Sequence, residues 1–329
     1  MTNPQSDLFD QLTPDLAMQF IEKGGCEVTG YCFALNSYEN RVFELELANK
    51  ERVVAKFYRP RRWSREAILE EHRFLQELDT EEVPVAAPIE LVSGQTLFEV
   101  NGIFCAAFKK IPGRAPEEFN REAWLRIGRL IGRLHNVGER ARSLHRKQLT
   151  VDAFGWESLS FLREQRWIPD TVEKHYVTLC EAIFVQAEAL LKPVKKLRLH
   201  GDCHRSNILD NRHNYVLVDF DDMVVGPAVQ DLWLLNPGRE AECIAERELL
   251  LQGYEEMREF NFSELRLIEP LRALRIVHYS AWIARRYHDP LFKRVFDQFR
   301  EMRYWEEELN QLREIYARMQ DSSGYSMFS

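Results

Sequence analysis

The amino-acid sequence predicts an α+β fold in two lobes, a small β-rich N-terminal lobe and a larger helical C-terminal lobe. Between about residues 26 and 110, short alternating runs of apolar and polar residues are separated by turn residues, as in half-buried strands. After about residue 120, apolar residues recur at helical spacing instead. We therefore assign residues 1–110 to the first lobe and residues 111–329 to the second.

The composition is that of a soluble enzyme large enough for two domains. Of the 329 residues, 45% are hydrophobic and 29% are charged, and the net charge is −8. A negative charge disfavours nucleic acid or an anionic membrane as a partner, and no apolar stretch reaches the roughly 18 residues of a membrane-spanning helix. The six cysteines are scattered, so neither zinc nor a disulfide framework is indicated. Because the N-terminus lacks a signal-peptide pattern, we expect a cytoplasmic protein, and we expect it to be a monomer.

Two of the first predicted strands form a hairpin that carries a lysine. Residues 41–47 (RVFELEL) alternate apolar and polar side chains, and residues 52–58 (RVVAKFY) return after a turn at Asn49 and Lys50. Lys56 lies in the middle of the second strand. A lysine at such a position is often an ordinary solvent-facing residue, so its role depends on the rest of the pattern.

The segment of residues 66–78 is strongly helical, and Ser64 is a suitable N-cap for it. Glu71 lies on the apolar face of this helix, whereas Glu70 points elsewhere. A carboxylate among apolar side chains needs a cation nearby. We therefore expect Glu71 to pair with Lys56, although the sequence leaves Glu70 open as the partner. The apolar face is formed by Ala67, Ile68, Glu71, Phe74, Leu75 and Leu78.

An Asn-Gly pair at residues 101–102 predicts a second hairpin over residues 97–108. It leads into residues 109–114 (KKIPGR), which join the β-rich part to the helical part. This segment is either a hinge between the lobes or an ordinary linker, and the sequence leaves both open. Long helices are predicted over residues 124–135, 171–192, 239–260, 263–287 and 291–318.

The most informative part of the chain is residues 200–221. Residues 200–207 (HGDCHRSN) have the spacing His-x-Asp-x-x-x-x-Asn, and residues 216–221 (VLVDFD) follow as an apolar strand that ends in Asp. The polar turn between the two segments predicts a hairpin. Such a hairpin would bring Asn207 and Asp219 together at one end.

Kinases use this arrangement for phosphoryl transfer. One carboxylate, here Asp202, orients the acceptor hydroxyl, while an amide and a second carboxylate, here Asn207 and Asp219, hold Mg²⁺ beside ATP. Phosphoryl transfer needs little covalent help from the protein, so positioning and a metal are sufficient. The sequence therefore predicts ATP and Mg²⁺ as cofactors, with Asp202 and Asp219 as the catalytic carboxylates.

Two parts of the N-terminal lobe fit the same chemistry. The strand around Lys56 is similar to the kinase strand whose lysine holds the nucleotide phosphates and pairs with a glutamate on the next helix, here Glu71. Upstream, residues 35–42 (LNSYENRV) lie where a protein kinase would have a glycine-rich loop. This polar loop is able to contact a phosphate through backbone N–H groups and the Ser37 hydroxyl.

The order of these motifs resembles the aminoglycoside phosphotransferase/choline kinase-like family, whose members have a protein-kinase-like fold with ATP between two lobes. Within that family the chain is most similar to a group of bacterial protein kinases. The resemblance implies phosphorylation of serine or threonine in proteins, autophosphorylation and a role in stress response. It also implies an acceptor-side role for Asp202, Mg²⁺ ligation by Asn207 and Asp219, and an ATP-site role for Ser37. The segments that carry it include residues 35–42, 56–60 (KFYRP), 82–88 (EVPVAAP), 200–204 (HGDCH), 230–233 (QDLW) and 268–273 (IEPLRA).

Three functions remain open on the sequence. The first is a protein kinase, whose partner is a protein with a Ser or Thr acceptor. The second is a small-molecule kinase acting on an alcohol such as homoserine, choline or an aminoglycoside. The third is a pseudokinase, which is disfavoured because the complete set of nucleotide and metal residues is present.

The acceptor side of the site is where the first two functions differ. A choline-type site would need an aromatic cage, and Tyr279, Trp282 and Tyr287 are candidates, although their spacing also suits core residues. Four arginines of the same region either hold an anionic acceptor or face solvent. They are Arg272, Arg275, Arg285 and Arg286.

Overall fold

The structure of the protein is a computed structural model, and it describes residues 8–91 and 94–321. A helix precedes a five-stranded antiparallel sheet with the strand order β1-β2-β3-β5-β4. A long helix follows the third strand in the chain. These elements are α1 (Pro14–Lys23), β1 (Val28–Leu35), β2 (Arg41–Leu47), β3 (Arg52–Phe57), α2 (Arg65–Thr80), β4 (Phe98–Val100) and β5 (Ile103–Lys109).

The rest of the described chain is mainly helical, with two small two-stranded sheets. Its helices are α3 (Arg121–Glu139), α4 (Glu157–Glu164), α5 (Asp170–Leu191), α6 (Val229–Leu235), α7 (Ala241–Glu255), α8 (Ile268–Arg286), α9 (Pro290–Val295) and α10 (Met302–Gln320). Its strands are β6 (Leu197–Leu199), β7 (Ile208–Asp210), β8 (Tyr215–Leu217) and β9 (Val224–Gly226). The predicted α+β class, with a small sheet and a large helical part, is confirmed. None of the helices in the described ranges is both long enough and apolar enough to cross a bilayer.

The register of the sheet decides which way Lys56 faces. Lys56 on β3 is paired with Val42 on β2 and with Ala106 on β5. Odd-numbered residues of β2, β3 and β5, including Phe57, pack against α1 on the outer face of the sheet. Because side chains alternate between the two faces of a strand, Lys56 points to the opposite face, towards the helical part. Sequence analysis did not anticipate α1, although Thr13 caps it and Pro14 occupies its first turn.

Helix α2 begins where the sequence predicts, with the Ser64 hydroxyl accepting the backbone N–H of Ala67 at 3.2 Å. Its inner face is buried in the main core together with the helical part, and Phe74 packs edge-on against Phe220 at 6.0 Å between ring centroids. The helix therefore lies between the sheet and the helical part. This position brings the Glu71 side chain to the boundary at which Lys56 arrives from β3.

Backbone hydrogen bonds fasten the connections between the two parts. The N–H of Leu217 on β8 donates to the carbonyl of Pro84 at 3.0 Å, and the N–H of Asp210 on β7 donates to the carbonyl of Arg114 at 2.9 Å. The segment after α2, which contains Pro84, and the segment after β5, which contains Arg114 and joins the two parts, thus both contact the same hairpin. The hairpin is the one that the sequence predicts between Asn207 and Asp219.

The predicted helix over residues 291–318 is interrupted in the structure. α9 ends at Val295, a short 3-10 turn follows, and α10 begins at Met302. The reason is aromatic packing, because Phe299 and Trp305 would lie on different sides of one continuous helix. The break lets their rings meet at 5.4 Å in the core, where the Trp305 indole N–H donates to the Phe299 carbonyl at 3.1 Å.

Helix α10 provides a test of this packing through a buried carboxyl group. Burial raises the pKa of Glu308 from 4.5 to about 8, with a partly opposing hydrogen bond from the Ser280 hydroxyl at 3.1 Å. The folded state keeps a proton that the unfolded chain releases, so the stability due to the neutral carboxyl is complete below pH 4.5 and is lost as the pH rises to about 8. Glu308→Gln should therefore melt about 3–6 °C above wild type at pH 8 and close to wild type at pH 4.5.

Differential scanning calorimetry across this pH range measures the effect. Glu307→Gln, at an exposed position of the same helix paired with Arg303, is the control and should leave the pH dependence unchanged. Parallel melting curves for wild type and Glu308→Gln would mean that Glu308 does not hold the proton.

Candidate active site

The loop of residues 200–207 is fixed by its own first residue. The His200 imidazole donates from Nε2 to the carbonyl of Val218 at 2.9 Å, and its Nδ1 accepts the backbone N–H of Asp202 at 3.3 Å. Gly201 has φ of +86°, and a Cβ there would lie only 2.1 Å from the carbonyl oxygen of Asp222. Glycine is therefore required for the loop to lie against the segment that follows β8.

A buried aspartate on α6 holds the same loop from the other side. The Asp231 carboxylate accepts the backbone N–H groups of His200 and Gly201, each at 2.9 Å. It also contacts His135 Nε2 at 3.2 Å, while His135 Nδ1 contacts the Tyr254 hydroxyl at 2.9 Å. Sequence analysis gave Asp231 no role. The sequence does contain one signal for such a role. Asp231 lies inside the mainly apolar stretch of residues 229–235, and a buried carboxylate there needs hydrogen-bond partners.

Asp202 projects from this loop with its carboxylate held by a histidine and an arginine. One oxygen is 3.2 Å from His204 Nε2 and the other is 3.0 Å from a guanidinium nitrogen of Arg275 on α8. Burial alone would raise the pKa of Asp202, but His204 and Arg275 more than offset it, and the pKa lies well below its usual range. Asp202 is therefore ionised at neutral pH, as a carboxylate must be to accept a hydroxyl proton.

Asn207 and Asp219 lie together at the end of the β7–β8 hairpin. The side-chain amide of Asn207 donates to the carbonyl of Asp202 at 3.0 Å, and its backbone carbonyl accepts the N–H of Val218 at 3.0 Å. This leaves the Asn207 amide oxygen available as a ligand. Asp219 has a left-handed backbone with φ of +62°, and its side chain is 59% exposed.

These oxygen atoms fit Mg²⁺, which prefers hard oxygen ligands and few protein groups. Across residues 8–91 and 94–321, no cluster of three or more His, Cys, Asp or Glu side chains is arranged to hold a metal ion by itself. A metal at Asn207 and Asp219 would therefore need further oxygen ligands from phosphate or water. That is the usual way in which nucleotide sites bind Mg²⁺.

Lys56 enters the site from β3 and contacts three carboxylates. Its ammonium nitrogen is 2.9 Å from Asp221, 3.3 Å from Asp219 and 3.6 Å from Glu71. Burial alone would lower the pKa of Lys56, but these carboxylates raise it well above its usual value, so the lysine stays charged. The Lys56 ammonium group thus lies next to Asp219, the carboxylate that follows β8.

The structure places Glu71, and not Glu70, next to Lys56. Glu71 also forms an ion pair with the guanidinium of Arg146. Glu70 points away and accepts the backbone N–H groups of Leu144, His145 and Arg146 at 2.7 to 3.0 Å. Glu70 therefore fixes a loop of the helical part, while Glu71 lies between two cations.

Ser37 lies in the connection between β1 and β2, at the end of the sheet nearest Lys56. Leu35 pairs with Val42, and Val42 pairs in turn with Lys56. The connection has no glycine, and its backbone is held by Arg59, whose guanidinium donates to the carbonyl of Tyr38 at 3.2 Å. Ser37 is thus on a loop at the same end of the sheet as Lys56.

The candidate cage residues do not enclose a common space. Tyr279 and Trp282 stack on each other, with centroids 5.4 Å apart and planes at 14°. Tyr287 instead packs in the core against Trp167 and Phe299. The four arginines also diverge. Arg275 contacts Asp202, Arg286 contacts Glu39, Arg285 lies over the ring of Phe161, and Arg272 donates to the carbonyl of Pro237.

Comparison with known proteins defines the class. The model of the phosphotransferase enzyme family (APH) matches residues 33–268, and the chain belongs to this family. It is therefore a phosphotransferase by family, and the resemblance predicted from its motifs is confirmed.

The chain is also similar to individual proteins. The chain is 38% identical over 304 residues to stress response kinase A of Escherichia coli, covering 92% of both proteins. It is equally similar, over 305 residues and 92% of both proteins, to serine/threonine protein kinase RdoA of Salmonella typhimurium. Its fold is similar to that of amicoumacin kinase hAmiN, solved with AMP-PNP, Ca²⁺ and Ami. The TM-score is 0.73 at 18% identity, over 91% of this chain and 93% of that one.

The contact between Lys56 and Glu71 predicts coupled effects of mutation. Lys56→Met and Glu71→Gln should each lower kcat/KM for phosphoryl transfer on the order of 100-fold, because either change removes one buried ion-pair partner and so loosens the position of the remaining charge. The double variant should be little worse than the more damaging single one. Glu70→Gln, the neighbouring control, should lower the melting temperature through its loop contacts while its loss of activity adds to that of Lys56→Met. Additive losses for Lys56→Met and Glu71→Gln would contradict the pairing.

Proposed function

We propose that this protein is an ATP- and Mg²⁺-dependent kinase that phosphorylates Ser or Thr hydroxyls of proteins, itself included, in a stress response. The observation that carries the proposal is a site formed by three groups of side chains. They are a charged Lys56 paired with Glu71, the oxygen donors Asn207 and Asp219, and an ionised Asp202 held by Arg275. This is the set that phosphoryl transfer requires.

The nucleotide would lie against the inner face of the sheet, with its phosphates at Lys56. The same face continues away from Lys56 as an apolar surface on which an adenine ring is able to pack. Ser37 and the backbone N–H groups of its loop would then lie above the phosphates. The side chains that share this face by register are Leu35, Val42, Val54, Ala106 and Phe108.

The chain's own residues would orient the acceptor and receive its proton. The Asp202 carboxylate accepts a hydrogen bond from the acceptor hydroxyl and takes its proton. As the hydroxyl oxygen bonds to the γ-phosphorus, the bond from that phosphorus to the β,γ-bridging oxygen breaks and ADP leaves. His200 and Asp231 keep the loop in place, and Lys56 neutralises part of the phosphate charge. Mg²⁺ bound by Asn207 and Asp219 would supply the remaining positive charge.

The protein acceptor is supported by two observations. The described residues form no aromatic cage at the three candidate positions, and Tyr279 on α8 is 42% exposed beside Arg275, so the acceptor side is open and polar. The Salmonella relative is also named as a serine/threonine protein kinase. A small-molecule alcohol remains the second candidate, because amicoumacin kinase shares the fold. A pseudokinase does not explain why the whole set of charged groups is kept.

The acceptor class is tested with radiolabelled ATP. Purified protein with Mg²⁺ should label itself or a generic protein acceptor on Ser or Thr, while homoserine, choline and aminoglycosides should raise ATP turnover little. Asp202→Asn should reduce the labelling by about 10²–10⁴-fold and leave MgATP affinity near wild type, because Asp202 meets the acceptor and not the nucleotide. Strong turnover with one small alcohol, without any phosphoprotein, would instead favour the small-molecule kinase.

The metal ligands are tested by calorimetry of nucleotide binding. Asn207→Ala and Asp219→Ala should each weaken binding of a non-hydrolysable ATP analogue with Mg²⁺ by roughly tenfold or more. Binding without Mg²⁺ should change much less. The control is Asp210→Ala. Asp210 lies in the same hairpin but next to its turn, at the end away from Asn207 and Asp219, so this variant should bind the analogue with wild-type affinity. Unchanged affinity for both variants would remove Asn207 and Asp219 from the metal site.

A further inference from the structure

Glu39, in the connection between β1 and β2, is bound to the helical part of the protein. One carboxylate oxygen accepts the Trp282 indole N–H at 2.7 Å and lies 2.7 Å from Arg286 Nε. The other accepts a second guanidinium N–H of Arg286 at 2.9 Å. Only 12% of the Glu39 side chain is exposed. Trp282 and Arg286 both lie on α8, so a loop of the sheet is joined directly to the helix that also carries Arg275.

Two arginines from the connection between β3 and α2 complete the surroundings of Glu39. Arg59 Nε lies 3.3 Å from its carboxylate and Arg62 lies 3.4 Å from it. Arg62 also contacts Asp221 at 2.5 Å and Asp222 at 2.6 Å, in the segment that follows Asp219. Glu39 is therefore connected through Arg62 to the carboxylates that surround Lys56.

The backbone of the same loop is fixed as well. The Arg59 guanidinium donates to the carbonyl of Glu39 at 2.9 Å, and it contacts Asp289, which precedes α9, at 3.1 Å. The Tyr38 ring meets the Phe296 ring edge-on at 6.2 Å. The segment that contains Ser37 thus touches the helical part directly at α8 and at Phe296, the residue after α9. Arg59 links the same segment to Asp289, before α9.

We propose that Glu39 is a positioning residue for phosphoryl transfer, which anchors the Ser37 loop to α8 and so fixes the loop above the nucleotide phosphates. The inference rests on the proposed function in one respect, that the phosphates lie beneath this loop. It goes further by assigning part of the nucleotide affinity to side chains of α8, a helix on the acceptor side. Nucleotide and acceptor would then be held by one connected set of side chains.

The physical reason is preorganisation. A glycine-rich loop is free to adopt many conformations and loses that freedom when it closes over phosphates. The loop of residues 36–41 has no glycine, and its ion pairs hold it before any nucleotide arrives. A ligand that meets an already ordered loop binds more tightly, because the cost of ordering has been met during folding. Breaking the anchor should therefore weaken nucleotide binding without removing any group that touches the nucleotide.

The test compares two variants from opposite ends of the anchor. Glu39→Gln and Arg286→Gln should each weaken binding of a non-hydrolysable ATP analogue with Mg²⁺ by about 5- to 20-fold. The double variant should bind the analogue at most about twofold more weakly than the weaker-binding single variant. The rise in KM for ATP should exceed the fall in kcat. Calorimetry and steady-state kinetics measure these effects on the full chain.

The chain offers a matched control for each variant. Glu46→Gln removes a carboxylate of β2 that pairs with Lys50 and Arg52 at the surface. Arg285→Gln removes the neighbouring arginine of α8, which lies over Phe161. Both controls should bind the nucleotide within about twofold of wild type.

Hydrogen exchange gives a second measurement that needs no nucleotide. The backbone amide of Arg59, which donates to the side chain of Asn40 in the loop at 3.1 Å, should exchange faster in both Glu39→Gln and Arg286→Gln than in wild type, while amides of β3 stay unchanged. Wild-type affinity in Arg286→Gln, additive losses in the double variant, or unchanged exchange of the Arg59 amide would each overturn the anchor. A wild-type protein that transfers phosphate to a small alcohol would refute the proposed acceptor while leaving these outcomes intact.

Discussion

The site depends on a chain of buried ion pairs in which positive and negative side chains alternate. Glu71 on α2 contacts Lys56 on β3, Lys56 contacts Asp221 after β8, and Asp221 contacts Arg62, which reaches Glu39. Each charge has lost most of its water, so none is stable in the interior without its neighbours. The sheet, α2 and the segment after the β7–β8 hairpin are therefore confined to one mutual arrangement. Folding the helical part alone would leave the chain of charges incomplete.

The second constraint is a set of buried hydrogen bonds that holds the loop of residues 200–207 in place. Asp231 holds the backbone of residues 200–201, and His200 joins that loop to β8 through the carbonyl of Val218. The carboxylates that face the cleft, Asp202 and Asp219, are thus carried by backbone segments that are tied to each other. Their spacing follows from these buried hydrogen bonds and not from their own mutual repulsion. This separation of supporting groups from exposed charged groups is what a precisely placed site requires.

Local signals in the sequence predict much of this structure. The Asn101–Gly102 turn, the Ser64 cap and the turn between β7 and β8 each act over a few residues, and each forms as predicted. The contacts of Glu39 and Asp231 were not predictable in this way. Glu39 meets its partners on α8 more than 240 residues further along the chain, and neither helical periodicity nor turn chemistry carries information over that distance. Helical periodicity predicts that Glu71 lies on the face of α2 that meets Lys56, whereas the contacts of Glu70 with residues 144–146 follow only from the fold.

The charge balance around Lys56 explains why such a site would depend on a metal ion. Four carboxylates, those of Glu71, Asp219, Asp221 and Asp222, share three cations, Lys56, Arg62 and Arg146. Because the carboxylates outnumber the cations, Lys56 alone is able to neutralise only part of the charge of a triphosphate. A divalent cation at the exposed carboxylate of Asp219 would reverse this balance at the point where the phosphates would lie. Metal and nucleotide would then each make the binding of the other favourable, which couples their binding through electrostatics alone.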